Sequence, residues 1–369
     1  MDLLEITPTP PMAAVAPPTA LPLGLDLDAQ GWVEALAQRG LPAYRARQVF
    51  DALHRRRLAD WSDLSELPRA ARDWLGEHYR PISGALVTQA VSRDGTRKRL
   101  VRLADGQDVE TVAIPSRSPA GSSRLSVCVS TQAGCAMACT FCATGDMGLA
   151  RNLSHGEIVD QVYGFGRDRP EAAPTHVVFM GMGEPLANYA ATVRAVRLLS
   201  NPQGANISPR RITVSTSGLV PQIRRLATED LDITLAISLH APNDDLRTEL
   251  MPVNTRFPIS ALLAATSDYA RATKRRVSYE YVMLEGVNDQ PLHAAQLAAI
   301  LPKRLSHVNL IPYNATGAAF RATPPDRITA FQERLTAAGV SATIRASRGR
   351  DIAAACGQLK AENSLRRPG

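Results

Sequence analysis

Cysteine is scarce in this chain, with five in 369 residues. Four fall between Cys128 and Cys142 and the fifth, Cys356, stands near the far end. That usage excludes the dense disulfide framework of a small secreted domain and points to metal or redox chemistry. Aromatic residues make up 5% of the chain, too few for a broad stacking platform for single-stranded nucleic acid. No apolar run approaches the ~20 residues that a membrane-spanning helix needs. The opening stretch, "MDLLEITPTPPMAAVAPPTALP", carries acids and prolines where a secretion signal would be basic and then apolar. Residues 1–25 are therefore expected to be a disordered leader, and the chain to be cytoplasmic. Acids are outnumbered, 35 against 42 Lys and Arg, for a net charge of +7. This excess fits a polyanion such as RNA, and equally an arginine-rich solvated surface.

Residues 26–85 show apolar spacing of three and four, the pattern of a small helical unit, and it carries Arg45, Arg47, Arg55, Arg56 and Arg57. Residues 86–120 read as a β-hairpin turning at Asp105-Gly106, followed by a Ser, Pro and Gly linker. From 121 to 348, β-branched strand-like runs alternate with helix-like stretches. They begin with "RLSVCVS", "THVVFMG", "RRITVSTS", "ITLAISLHA", "VSYEYVML" and "HVNLIPY", and a short one follows at "SATIRAS". Such alternation predicts βαβ units and a parallel sheet. Six units favour a partial (β/α)6 TIM-like barrel over a closed eight-fold one. Residues 349–369 form a tail. Each of the six runs ends in a polar or Gly-rich cluster, and the C-terminal ends of barrel strands are where active sites sit.

After the first run come Cys135, Cys139 and Cys142, spaced C-x3-C-x2-C. Three thiolates so close can wrap one inorganic core. Zinc would need a fourth ligand, for which Cys128 or His155 is available. An iron–sulfur cluster on three cysteines would leave one iron open to a small chelating ligand. Gly183 and Glu184 follow the second run, where a Gly-rich turn brings backbone close to a ligand and a carboxylate can meet an ammonium. Glu110 in "VETVAIP" shares strand parity with Val112 and Ile114. It is expected to face their apolar side, where a carboxyl has a raised pKa.

The ordered set "VCVSTQAGCAMACTFCATG", "GMGEPLAN", "STSG", "ISLHAPND", "LIPYN" and "ACGQL" resembles the RlmN/Cfr family of radical-SAM RNA adenine methyltransferases. The likeness runs from about Tyr44 to Leu359. It implies a [4Fe-4S] cluster held by Cys135, Cys139 and Cys142, and two molecules of S-adenosylmethionine per turnover. It marks Gly183, Glu184, Ser215, Ser238, Leu239, His240 and Asn314 as contacts to that cofactor. It implies that Cys356 carries the methyl group as S-methylcysteine, that Cys128 resolves the RNA adduct through a transient disulfide with Cys356, and that Glu110 accepts the C2 proton. One departure stands out: Arg350 occupies a position where an acid is expected. The link between the second strand and the cluster helix is also short.

What the resemblance implies for function is methylation of adenine C2 in 23S rRNA at the peptidyl-transferase centre and next to the anticodon in tRNA. The alternative within the family is C8 methylation of the same rRNA adenosine, the antibiotic-resistance branch. A different class altogether is a zinc-stabilised RNA-binding protein without catalysis. Implied partners are 23S rRNA, tRNA and an electron donor such as flavodoxin or ferredoxin, with no membrane and a monomeric enzyme.

Overall fold

The computed structural model describes residues 21–117, 121, 123–168 and 172–361. The first 20 residues of the expected leader lie outside these. Its last five do not dangle: Leu23 and Leu25 are buried, and a 3₁₀ turn runs over Gly24–Asp26.

The N-terminal helices are α1 (Ala29–Ala37), α2 (Ala43–His54) and α3 (Arg69–His78). Asp28 caps α1 by accepting from the Gly31 N–H. Trp32 sits in the middle of this unit, with ring centroids 6.0 Å from Trp61 and 5.0 Å from Tyr79. The spacing of three and four becomes buried faces, Val49, Phe50 and Leu53 on α2 and Ala71, Trp74 and Leu75 on α3.

Three antiparallel strands follow, β1 (Gly84–Val91), β2 (Arg97–Leu103) and β3 (Asp108–Arg117). The last pairs antiparallel with β4 (Ser123–Cys128), so the hairpin extension continues the barrel sheet. A small hairpin of β5 (Gln132–Cys135) and β6 (Gly148–Asn152) carries the cysteine loop between its arms. The remaining strands are β7 (His176–Phe179), β8 (Ile212–Thr216), β9 (Thr234–Ser238), β10 (Val277–Met283), β11 (Ser306–Pro312) and β12 (Ala342–Ile344). From β4 through β7 to β12 every neighbouring pair is parallel. The order β4-β7-β8-β9-β10-β11-β12 is the partial barrel, closed at the end by a short seventh strand. All seven residues of β10 are buried, as befits a parallel strand covered on both faces.

The crossover helices are α4 (His155–Asp168), α5 (Tyr189–Ser200), α6 (Val220–Leu226), α7 (Asp244–Leu250), α8 (Ile259–Thr273), α9 (Pro291–Ile300) and α10 (Pro325–Ala337). One apolar core runs from Leu23 to Val340 and takes in both the helical unit and the barrel. The junction at α4 is polar as well. His54 Nδ1 meets the Tyr163 hydroxyl at 3.2 Å, and Asp160 accepts from both the N–H and the hydroxyl of Ser83. The helical unit thus sits on the barrel in one orientation, with its arginines carried along.

Candidate active site

The C-terminal ends of β7 to β11 surround a cavity of about 170 Å³, open at its mouth. Cys135, Cys139 and Cys142 line one side; Gly183, Glu184, Ser215, Ser238 and His240 line the other, and Cys356 closes it from the tail. Residues that the chain separates by more than two hundred positions therefore share one chamber. Leu239 is wholly buried behind it. Asn314 lies next to the tail, its side-chain amide donating to the Cys356 carbonyl at 3.4 Å.

Glu184 is held rather than free. Its carboxylate accepts from the N–H of Leu186 at 2.9 Å and of Ser217 at 2.7 Å. Burial raises its pKa, and these amide bonds oppose the shift. Gly183 has φ +99°, and a Cβ there would stand 2.6 Å from Gln132 Cβ and 2.8 Å from Gln132 N. Gly183→Ala is expected to cost roughly 1–3 kcal/mol through overpacking and backbone strain, read as a lower midpoint of thermal unfolding. Glu184 follows directly, so the variant is also expected to displace its carboxylate.

His240 adopts φ +58°, unusual for a residue with a side chain. Its Nδ1 accepts the Val282 N–H at 3.0 Å, so the ring proton sits on Nε2. Burial lowers its pKa to about 3, which keeps the ring neutral at ordinary pH. The ring meets Phe141 of the cysteine loop edge-on, with centroids 4.7 Å apart.

The tail is anchored by its backbone. The Gly357 carbonyl accepts from Ala143 N, the Leu359 carbonyl from the Thr144 hydroxyl, and Gln358 donates to the Ala315 carbonyl. Further back, Asp351 accepts from the Ser92 hydroxyl and Arg93 N, and Gly349 N donates to Asp94. Cys356 is accessible and also lines a second cavity, together with Cys128, Asn314, Arg345 and Arg348. Cys128 itself is buried beside Val112, Met182, Ala354 and Leu359, and burial pushes its thiol up to about 12 while Arg345 pulls it down. Both cysteines are free thiols.

Glu110 is 4% exposed and lies on the face of β3 turned to the tail. The Lys98 ammonium reaches it at 2.9 Å, and Lys360 N donates to its other oxygen at 2.8 Å. Strand parity identifies its burial correctly. The cation is what parity misses: Lys98 is two residues along β2 from Leu100, the cross-strand partner of Glu110, and so shares its face.

Glu280 also lines the main cavity and is absent from the sequence-based candidates. Its Oε1 accepts from Asn309 at 2.7 Å, its Oε2 has no hydrogen-bond partner, and Arg345 stands 3.7 Å away. An acid inside the otherwise apolar "VSYEYVM" was the available signal.

The chain matches the radical SAM superfamily model over residues 129–298. It is 47% identical to a "Probable dual-specificity RNA methyltransferase RlmN" of Gemmatimonas aurantiaca, over 95% of this chain and 96% of the relative. A protein of the same description from Salinispora tropica is 48% identical, over 98% of this chain and 99% of the relative. The chain belongs to the RlmN family of radical SAM RNA methyltransferases. Among solved structures, a radical SAM methyltransferase from Sphaerobacter thermophilus superposes with a TM-score of 0.88 at 48% identity, over 92% of this chain and 99% of that one.

The cofactors of this family are a [4Fe-4S] cluster and S-adenosylmethionine. The site fits them. Three soft sulfur donors, all within eight residues of chain, line the same cavity. His155, the candidate fourth zinc ligand, instead lies 3.5 Å from Asp26 on the outer side of α4. Two buried acceptors at the site, Glu280 Oε2 and Asn314 Oδ1, lack a protein hydrogen-bond partner, as expected where a polar ligand completes the set. Among the described residues no helix is long and apolar enough to cross a membrane.

Proposed function

We propose that this protein methylates adenine C2 in 23S rRNA and in the tRNA anticodon loop, with Cys356 as methyl carrier, Cys128 as resolving thiol and Glu110 as proton acceptor. The observation that carries the reading is Cys356 lining two cavities at once, one with the cysteine loop and one with Cys128. A carrier must face both its source of activation and the thiol that frees it.

Cys135, Cys139 and Cys142 would hold the cluster, and Glu184, Ser215, Ser238, Leu239, His240 and Asn314 would contact S-adenosylmethionine. When bound, these groups supply the methyl and the one-electron chemistry that activates a C–H bond. The chain's own residues handle what precedes and follows. The tail presents Cys356 sulfur at the cavity mouth, fixed by Ala143, Thr144 and Asn314. Glu110 takes the C2 proton, with the Lys98 ammonium 2.9 Å from its carboxylate. Cys128, as thiolate, attacks the Cys356 sulfur; an S–S bond forms, the sulfur–carbon bond breaks with its electron pair on the methylene carbon, and the proton taken up by Glu110 returns to that carbon to complete the methyl group of the released base. An external thiol or dithiol reductant then returns both cysteines to thiols.

The lysine and the Lys360 amide occupy Glu110 in the resting enzyme, so an entering base displaces the tail amide. We place the enzyme in the cytoplasm as a monomer, fed by a flavodoxin or ferredoxin. Incubation of unmodified 23S rRNA and tRNA with enzyme, cofactor and reductant, followed by nucleoside mass analysis, is expected to yield 2-methyladenosine in both. Only 8-methyladenosine, or no product from a brown iron-containing protein, sinks this reading.

A further inference from the structure

Arg247 on α7 is fully buried, an expensive place for a cation. Its guanidinium donates from Nε to the Leu239 carbonyl at 3.2 Å and from Nη1 to Asn254 Oδ1 at 2.8 Å. Nη2 donates to the carbonyls of Ser217 at 2.6 Å and Ser238 at 3.1 Å. All four acceptors are neutral. The nearest acid on its own helix, Asp244, is reached through Asn254, whose amide donates to the Asp244 carbonyl and carboxylate. No carboxylate among the described residues makes a direct hydrogen bond to this guanidinium. A buried cation without a direct counter-anion needs a negative group nearby.

That group is available one helical turn away. Thr140 donates from both its N–H and its hydroxyl to the carbonyl of Leu250, the last residue of α7. Cys139 packs against the apolar cluster that includes Leu250 and Met251. Of the negative groups near the guanidinium, the Asp244 carboxylate lies behind Asn254, and the cysteine loop is tied to the end of the same helix through Thr140 and Leu250. Burial lowers the arginine only to about 10, so it stays charged at neutral pH. Its position between strands is equally specific. The β8–β9 ladder ends at Thr216 opposite Ile237, and Nη2 joins the next two carbonyls, Ser217 and Ser238. It also bears on Gly218, where a Cβ would stand 3.3 Å from Nη2.

We propose that Arg247 is a positioning residue with two effects: it is the buried counter-cation of the cysteine-bound cluster, and its fork fixes the ends of β8 and β9 that present Ser215 and Ser238–His240 to S-adenosylmethionine. The inference rests on the assignment of those residues to cluster and cofactor. Reduction adds one electron from an external low-potential donor to an assembly already bearing three thiolates, and a nearby cation in low dielectric favours that addition. Loss of the charge drives the potential more negative. Loss of the fork with the charge kept loosens the strand ends.

The test uses reconstituted holoenzyme, with dithionite titration followed by electron paramagnetic resonance and equilibrium dialysis of S-adenosylmethionine. Arg247→Gln is expected to assemble cluster with wild-type iron and sulfide content and to reduce at a more negative potential. Arg247→Lys is expected to keep the potential near wild type and to bind S-adenosylmethionine ~10-fold more weakly, the scale of one or two lost hydrogen bonds. Should the glutamine variant not fold, Asn254→Asp places a carboxylate against the guanidinium with the arginine in place and is expected to shift the potential the same way. Unchanged potential in every folded charge variant overturns the counter-cation role. Unchanged cofactor affinity in Arg247→Lys overturns the clamp. A wild-type protein that assembles no cluster sinks the family chemistry instead, a result distinct from both.

Discussion

The Cys356→Ala protein is expected to keep its iron and sulfide and to lose methyl transfer by ~10⁴-fold or more, the scale on which removal of a covalent nucleophile is felt. Both halves follow from where the sulfur sits. The proposed cluster ligands run from the last residue of β5 into the loop before β6, and nothing in their spacing involves residue 356. The tail is held by the carbonyls of residues 356, 357 and 359, none of which the substitution removes. Cys356 is accessible, so little packing is lost and stability should stay within about 0.5 kcal/mol of wild type. Activity therefore falls for want of a carrier in a protein that is otherwise intact. Iron and sulfide analysis, thermal unfolding and nucleoside mass analysis on one preparation check all three statements. Methyl transfer at even a tenth of the wild-type rate would remove Cys356 from the mechanism.

Much of this site is legible in the chain because its parts are short and contiguous. The cysteine loop, "GMGEP" and "STSG" each sit at the end of an apolar β-branched run, and in the folded chain those runs become β4, β7 and β8. What stays hidden has a common physical character: it depends on residues that look like surface. Arg247 lies in "NDDLRTEL", a stretch with the composition of an exposed turn, yet it is wholly buried because carbonyls from two strand ends converge on it. Lys98 lies in "RKR", and its partnership with Glu110 appears only when β2 and β3 are in register. The strand β1, "GALVTQAV", is almost entirely exposed; its apolar residues do not alternate with polar ones, and it forms by pairing with the edge that β2 offers. Leu23 and Leu25 are two apolar residues in a proline-rich run. Only their packing in the shared core separates them from a leader.

The proposed resolving thiol, Cys128, gives the second large effect. In a Cys128→Ala protein the chain from Cys356 to RNA has no internal way to break, so protein joined covalently to substrate is expected to accumulate to near one equivalent while free product disappears. The reasoning is one of access. Cys128 ends β4 with its backbone carbonyl pinned by the Thr111 hydroxyl at 2.9 Å, and its side chain shares an apolar cluster with Ala354 and Leu359 on either side of Cys356. The Cys128 sulfur is thereby held against the tail that carries Cys356, a proximity that an outside thiol lacks. Arg345 stands at the same cavity and favours the thiolate against the burial that opposes it. The substitution removes one sulfur from a small apolar cluster, at a cost of roughly 1 kcal/mol, so folding and cluster assembly survive. Denaturing electrophoresis before and after ribonuclease, with mass analysis of the peptide containing Cys356, distinguishes the adduct from tight noncovalent binding. Normal turnover by Cys128→Ala, with no retained RNA, would mean that the adduct is opened by some other group and that the two-cysteine relay is wrong.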